Sequence, residues 1–375
     1  MVAAQFFDRD EILRTWHIFR LPGEVLELRI PGAGKSRTIS GYFDDAQKLA
    51  GAVAEFADNG FPGIFFTINP TNPDLLARAA NQCKEYAKST TSDADIIAIH
   101  WLPIDCDPQR PSGISSTDAE HEAAISRARE VRRWLIDDLG WPADAFVLAD
   151  SGNGAHLTVR IDLENSKDGV DLVKHCLNAL DFLFSDDAVK IDVTTYNPSR
   201  IWKLYGTMAR KGLDMPDRPH RLAKILEAPV ETVVVDRGQL EKLAAICSRK
   251  PMASKTYGGS QNGAGFDPVA FCKAHGLAVN RVKAWEGGNL AVLEECIFNH
   301  DHHQSAFIGG WPDGTRTYRC LHNSCSDKHW RDAKVALGVV EDDPTEDLKR
   351  APWGTREDGA DDGKKSATSR DKIST

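Results

Sequence analysis

The run Ile96-Ile97-Ala98-Ile99-His100-Trp101-Leu102 is β-compatible and largely apolar, and it leads into Asp105 and Asp107. Such a run reads as a strand. Side chains on a strand alternate between faces, so these two acids point one way and Cys106 points the other. The chain must therefore build a sheet in which one strand ends on two converging carboxylates. Carboxylates this close repel unless a divalent cation lies between them, and oxygen-rich sites suit magnesium or manganese. A bare D-x-D before Pro108 also fits an Asx-type turn.

The flanking pattern supplies partners for that strand. Helices are predicted over 8–20, 44–58, 74–86, 117–139 and 171–184. The fourth opens on the capping box Thr117-Asp118-Ala119-Glu120 and closes at Gly140. Strands are predicted over 25–30, 63–68, 146–149, 156–161, 189–192 and 200–204, with a Gly-rich turn at 151–154. This mixture of strands, hairpins and helices predicts an α+β fold. The piece PGAGKSRT resembles a phosphate loop only superficially, because the first glycine of that motif would fall on Arg29. A hairpin turn is the expected structure there.

The 375 residues divide by composition into a catalytic-sized unit (1–249), a polar Gly/Ser linker (250–265), a small unit (266–340) and a charged tail (341–375) expected to be disordered. The linker predicts that the small unit is hinged to the large one rather than packed into it. Apolar content of 41% is ordinary for a globular protein, and no apolar run is long enough for a bilayer. The N-terminus lacks the pattern of a secretory signal, so a cytoplasmic protein is expected, with no membrane partner. A net charge of −9 argues against a broad nucleic-acid footprint, although residues 190–250 carry a local excess of Lys and Arg.

Three further stretches carry chemistry. Asp192 follows Ile191 at the end of a short strand, as Asp105 follows Ile104. Three carboxylates on neighbouring strand ends could hold two divalent ions about 3.5–4 Å apart; equally, Asp192 fits a turn cap. His156 follows Ser151-Gly152-Asn153-Gly154, whose backbone N–H groups could form an anion-binding nest; alone it also fits a hairpin histidine. Asn197-Pro198-Ser199-Arg200-Ile201-Trp202-Lys203 places two cations just after Asp192, and Arg200 could grip phosphate oxygens bidentately.

Cysteine use differs between the units. Cys83, Cys106, Cys176, Cys247 and Cys272 are scattered and expected to be unpaired. Cys296 and the histidines of CIFNHDHH precede Cys320-Leu321-His322-Asn323-Ser324-Cys325. This C-x₅-H…C-x₄-C arrangement suits a closed tetrahedral zinc site that would supply folding energy to a unit with little core. From spacing alone, His300 and His303 compete with His302 for the histidine ligand.

The order strand-DxD, SGNGAH, then ID followed by NPSRIWKLYGT resembles the archaeo-eukaryotic primase superfamily, in its phage- and plasmid-type primase–polymerases, over residues 54–221. The resemblance implies an RRM-like β-sheet flanked by helices and joined to a second α+β half. It implies catalytic magnesium or manganese on Asp105, Asp107 and Asp192. It implies triphosphate binding by His156, with Ser151, Asn153, Arg200 and, as a weaker match, Lys203 near the nucleotide. The segment CIFNHDHH…YRCLHNSCSDKHWRD resembles the zinc module found beside such domains, which favours a Cys296, His302, Cys320 and Cys325 site. The expected partners are a single-stranded DNA template and NTPs or dNTPs; a replicative helicase often accompanies such domains, and it would be either a separate chain or a region missing from this one. The rival expectations are a metal-dependent nuclease or phosphodiesterase using the same acids, and a non-catalytic zinc-containing replication adaptor that binds DNA.

Overall fold

Among the described residues, apolar alternation builds three antiparallel sheets of four or five strands and one two-stranded pair, and helices cover what the sheets leave open. The computed structural model describes residues 6–32, 38–248, 266–285, 287–312, 314–325 and 328–339. The linker expected at 250–265 and the tail expected at 341–375 lie outside them. Among the described residues, no helix is long and apolar enough to cross a membrane.

Helix α1 (Arg9–Phe19) precedes strands β1 (Leu26–Pro31) and β2 (Thr38–Phe43). These pair as a hairpin, Leu26 opposite Phe43 and Pro31 opposite Thr38. Next come α2 (Ala46–Phe56), β3 (Phe65–Thr67) and β4 (Cys83–Lys84). The long strand β5 (Ala98–Pro108) leads through α3 (Asp118–Asp137) to β6 (Phe146–Asp150) and β7 (Ala155–Glu164). Then α4 (Lys167–Phe184) leads to β8 (Val189–Ile191), β9 (Ile201–Lys203), β10 (Met208–Ala209), β11 (Arg221–Leu222), β12 (Lys224–Glu227) and α5 (Arg237–Ser248). The small unit holds α6 (Pro268–Ala274), β13 (Val279–Trp285), β14 (Gly288–Leu293), β15 (Ala306–Gly310), β16 (Arg316–Cys320) and α7 (Trp330–Ala336).

The first sheet runs β4-β2-β1-β3-β9, the second β12-β6-β7-β5-β8, and the third β13-β14-β15-β16. In the second sheet, β5-α3-β6-β7-α4-β8 is a β-α-β-β-α-β chain in which β7 sits between β6 and β5. Strand β5 is nearly continuous in apolar residues because both its faces are covered. Leu102, Ile104 and Cys106 face α3, α4 and α5, alongside Leu157 and Val159. Trp101, Val147 and Ala149 face the first sheet, meeting Leu28, Phe66 and Phe19. The register shift between Ile99 and Trp101 lets Ile99 join the helical side while Trp101 turns to the other.

Two expectations need correcting. Residues 74–86 do not form an α-helix. A short 3₁₀ turn, Pro73–Arg78, is capped by Asn72 and stops there. The backbone then serves the sheet: Tyr42 N–H bonds to Ala79 O at 3.0 Å, and Asn81 N–H bonds to Tyr42 O at 2.7 Å. Asn81 and Tyr86 adopt left-handed φ values of 52° and 56°, which no helix interior accepts.

The second concerns the small unit, which packs onto the large one instead of hanging from it. Phe182 at the end of α4 lies 4.9 Å from Trp285 and 5.5 Å from Phe307, ring to ring. Lys283 Nζ donates to the carbonyls of Asp181 and Phe182 at 2.7 and 2.6 Å, and Arg281 Nη2 donates to Leu183 O at 2.5 Å. His322 pairs with Asp138, the C-cap of α3. The small unit thus brings cations to the carbonyls of the last turn of α4, where the helix dipole favours positive charge.

Candidate functional site

The sheet register gathers the acids. Asp105 lies opposite His156 across the β5–β7 pair, and Cys106 lies opposite both Ala155 and Ile191. Asp192 N–H bonds to Asp105 O at 2.9 Å, which carries the pairing one residue past β8. His156, Asp105 and Asp192 therefore stand in a row across three strands, on the face away from α3 and α4. Asp107 is next on that face of β5.

Burial pushes the Asp105 carboxyl well above the usual range, and the charges of Asp107 and Asp192 push it further. Arg110 and Arg200 oppose that rise, so two guanidiniums flank the acids. Arg110 Nη1 lies 3.6 Å from Asp107 Oδ1. Arg200 donates to Thr194 O, and its buried Nε has no acceptor. Asp192 also caps the turn after β8, accepting from Thr194 N–H at 2.8 Å through Oδ1. The three carboxylates are less tightly drawn together than the cysteine cluster described below, the one group of three or more potential metal ligands within 4.8 Å of one another among the described residues.

A network fixes the tautomer of His156. Trp202 Nε1 donates to Tyr205 Oη at 3.0 Å, and that hydroxyl lies 3.0 Å from His156 Nδ1. An indole nitrogen only donates, so Tyr205 Oη accepts there, and pointing its own proton at Nδ1 is the arrangement that leaves no buried hydroxyl proton unpaired. Nε2 then carries the hydrogen and faces Asp105 Oδ1, 3.7 Å away. Burial, aided by the nearby Lys203 charge, lowers the imidazole to about 3, so it is a neutral donor at physiological pH. Trp202 stacks on the ring at 3.9 Å. Neither Tyr205 nor Trp202 is marked as functional by the sequence; only the meeting of β9 with the second sheet reveals them.

The Gly-rich turn closes beside this row. Ser151 Oγ accepts from Gly154 N–H at 3.1 Å and closes the turn, while Asn153 Oδ1 accepts from Ser116 N–H at 3.0 Å and ties the turn to the segment before α3. A Cβ on Gly154 would sit 2.5 Å from Cys106 O and 3.4 Å from Asp107 Oδ1. Glycine is what lets the turn approach the acids this closely. Asp150, unmarked in the sequence, anchors it by accepting from Gly152 N–H at 2.6 Å while pairing with His121 at 2.8 Å. Lys203 is buried and spends its ammonium on Thr207 Oγ1 and Met208 O, both at 2.8 Å. Desolvation brings it down to about 7.

In the small unit, Cys296, His302, Cys320 and Cys325 are all buried and place their donor atoms within 4.8 Å of one another. Cys296 and Cys325 Sγ are 3.9 Å apart, and His302 Nδ1 lies 3.5 and 3.6 Å from Cys320 and Cys325 Sγ. Donors at zinc's bond lengths in a tetrahedron stand about 3.3–3.8 Å apart, so this quartet could bind zinc. His300 instead faces Glu295 at 3.0 Å, and His303 is exposed. Hydrogen bonding from Cys320, with help from the Tyr318 hydroxyl 3.1 Å away, draws the Cys296 thiol down to about 4. His302 also stacks on His322 at 3.8 Å, and His322 makes the bridge to Asp138.

No family model and no curated protein matches this chain.

Proposed function

We propose that this protein is a primase–polymerase that joins nucleoside triphosphates on a single-stranded DNA template. The observation that carries this reading is the row of Asp105, Asp107 and Asp192 beside the neutral Nε2–H of His156, between Arg110 and Arg200. On this reading the second sheet is an RRM-like catalytic core, and the β-α-β-β-α-β connectivity supports it. Asp105 also supports a cation site: a half-buried carboxyl crowded by like charges is relieved by a divalent ion. Asp105, Asp107 and Asp192 would hold magnesium or manganese, which would supply charge neutralisation at the attacking and leaving oxygens. His156 donates to a triphosphate oxygen, and Arg200 and Arg110 orient the phosphates.

Product analysis tests this reading. With a 5′-labelled primer on a single-stranded template, either dNTPs or NTPs should lengthen the label. Shortening would make the same acids those of a nuclease.

The His156 network gives a sharper check. Tyr205→Phe removes the proton offered to Nδ1 and frees the other tautomer. Triphosphate affinity should fall by about 1 kcal/mol, close to fivefold, with template affinity unchanged. Calorimetric titration with a non-hydrolysable triphosphate reads this directly. Unaltered triphosphate binding in a folded Tyr205→Phe protein would remove the histidine from the nucleotide site.

A further inference from the structure

The opposite end of the β5–β7 pair carries a second group of cations, unrelated to the acidic row. A cavity of about 680 Å³ there is lined by Arg14, His17, Arg20, His100, Trp101 and Arg160, together with the 228–232 segment. That volume lies in the usual range for small-molecule sites. Arg20 and Arg160 are only 5% and 9% exposed. Their hydrogen-bond partners are neutral. Arg20 Nη1 donates to the carbonyls of Phe19 and Ile68 at 2.6 and 3.0 Å, and Nη2 donates to Thr67 O. Arg160 Nη1 donates to the carbonyls of His100, at 3.0 Å, and Ile161. Among the described residues, neither guanidinium has a carboxylate in ion-pair contact. Two acids act on them by charge: Glu24 on both, and Asp162 more strongly on Arg160. Glu24 accepts from Leu21 N–H at 2.9 Å and faces His100 Nδ1 at 3.3 Å, and the exposed Asp162 lies 3.5 Å from His100 Nε2.

Burying cations without anionic partners is unfavourable, and the cost falls when a ligand supplies the opposite charge. Such a ligand is an anion with several acceptor oxygens. Guanidinium forks match phosphate oxygens in this way. Leu13, Ile18 and Pro229 add apolar wall, which suits a ligand with an uncharged portion. Asp10 and Glu231 also line the cavity and set a limit on how many charges the ligand brings.

We infer that this cavity is a binding site for a phosphate-bearing small molecule of mononucleotide size, separate from the acidic row. Arg160 and His156 share one face of β7, four residues apart, so the two sites stand about 13 Å from each other. Nothing in the cavity calls for a divalent cation, and its occupancy does not depend on the primase–polymerase reading.

The test uses the full chain in EDTA, which separates this site from one that needs a metal. ATP, AMP, pyrophosphate and inorganic phosphate are titrated separately by calorimetry, with melting temperature as a second readout. At least one should bind saturably and raise the melting temperature. Binding by ATP or AMP alone identifies a nucleoside phosphate, and binding by the inorganic anions identifies the phosphate group as sufficient. Arg160→Gln should weaken that binding at least tenfold. Arg14→Gln should weaken it severalfold; this side chain is 43% exposed, so the fold is not at stake. The inference fails if none of the four binds saturably at millimolar concentration. It also fails if Arg14→Gln and a folded Arg160→Gln bind as the wild type does, or if the binding is lost in His156→Ala instead.

Discussion

Asp105→Asn should cut nucleotide incorporation on the order of 10³-fold, the scale on which enzymes lose a preorganised charge at the reacting atoms. The same change should raise the melting temperature of the metal-free protein at neutral and alkaline pH. The two effects have one cause. Burial and the charges of Asp107 and Asp192 make the folded Asp105 carboxyl hold its proton more tightly than the unfolded chain does. A group raised in this way favours the fold fully only below the ordinary carboxylate range. Its contribution is lost as pH climbs through the raised value. Wild-type protein in EDTA should therefore melt at lower temperature as pH rises over that interval, and Asp105→Asn should show a shallower slope. Magnesium or manganese should restore the wild type more than the variant. Incorporation assays and melting curves with and without EDTA read both effects. An Asp105→Asn protein that folds and incorporates at the wild-type rate would remove Asp105 from the chemistry.

Zinc removal should have the larger structural effect. The core of the small unit is short, with Cys272, Ala291, Leu293, Ile308 and Tyr318 among its few buried side chains, and three of the remaining ones are the cysteines of the cluster. Structural zinc contributes about 10–16 kcal/mol in small zinc peptides, so this unit should not hold together without it. Cys320→Ser should abolish a stoichiometric zinc content of about one ion per chain, the number one tetrahedral quartet takes. Hydrogen-exchange protection should then collapse over β15 and β16 while β5 and β7 keep theirs. The loss should spread to the ends of α3 and α4, because His322, Arg281 and Lys283 reach them from the small unit. Freshly purified, reduced protein without zinc would end the metal assignment. Unchanged protection after chelation would end its structural role.

The residues of the acidic row are legible in the sequence because strand periodicity alone places Asp105 and Asp107 on one face. Their alignment with His156 and Asp192 is a matter of register, which becomes fixed only when β7 and β8 pair with β5. The quartet is legible as a ligand set, yet the choice among three histidines is made by burial: His302 turns inward while His300 meets Glu295. The docking of the small unit is not legible. Arg281 and Lys283 read as ordinary surface cations until the end of α4 lies against them. Tyr205 and Trp202 are hidden in the same way, since their bonds to His156 cross between sheets. The 74–86 stretch misleads because sheet pairing claims its backbone after Arg78.

The most direct measurement is synthesis from nothing. Full-length protein is incubated with unprimed single-stranded DNA, magnesium or manganese, and labelled NTPs or dNTPs, beside Asp105→Asn and Asp107→Ala controls. New labelled strands from the wild type, absent from both variants, are the predicted result. A wild-type protein that makes no product on unprimed template and does not extend a supplied primer, in either metal and with either set of nucleotides, would contradict the account.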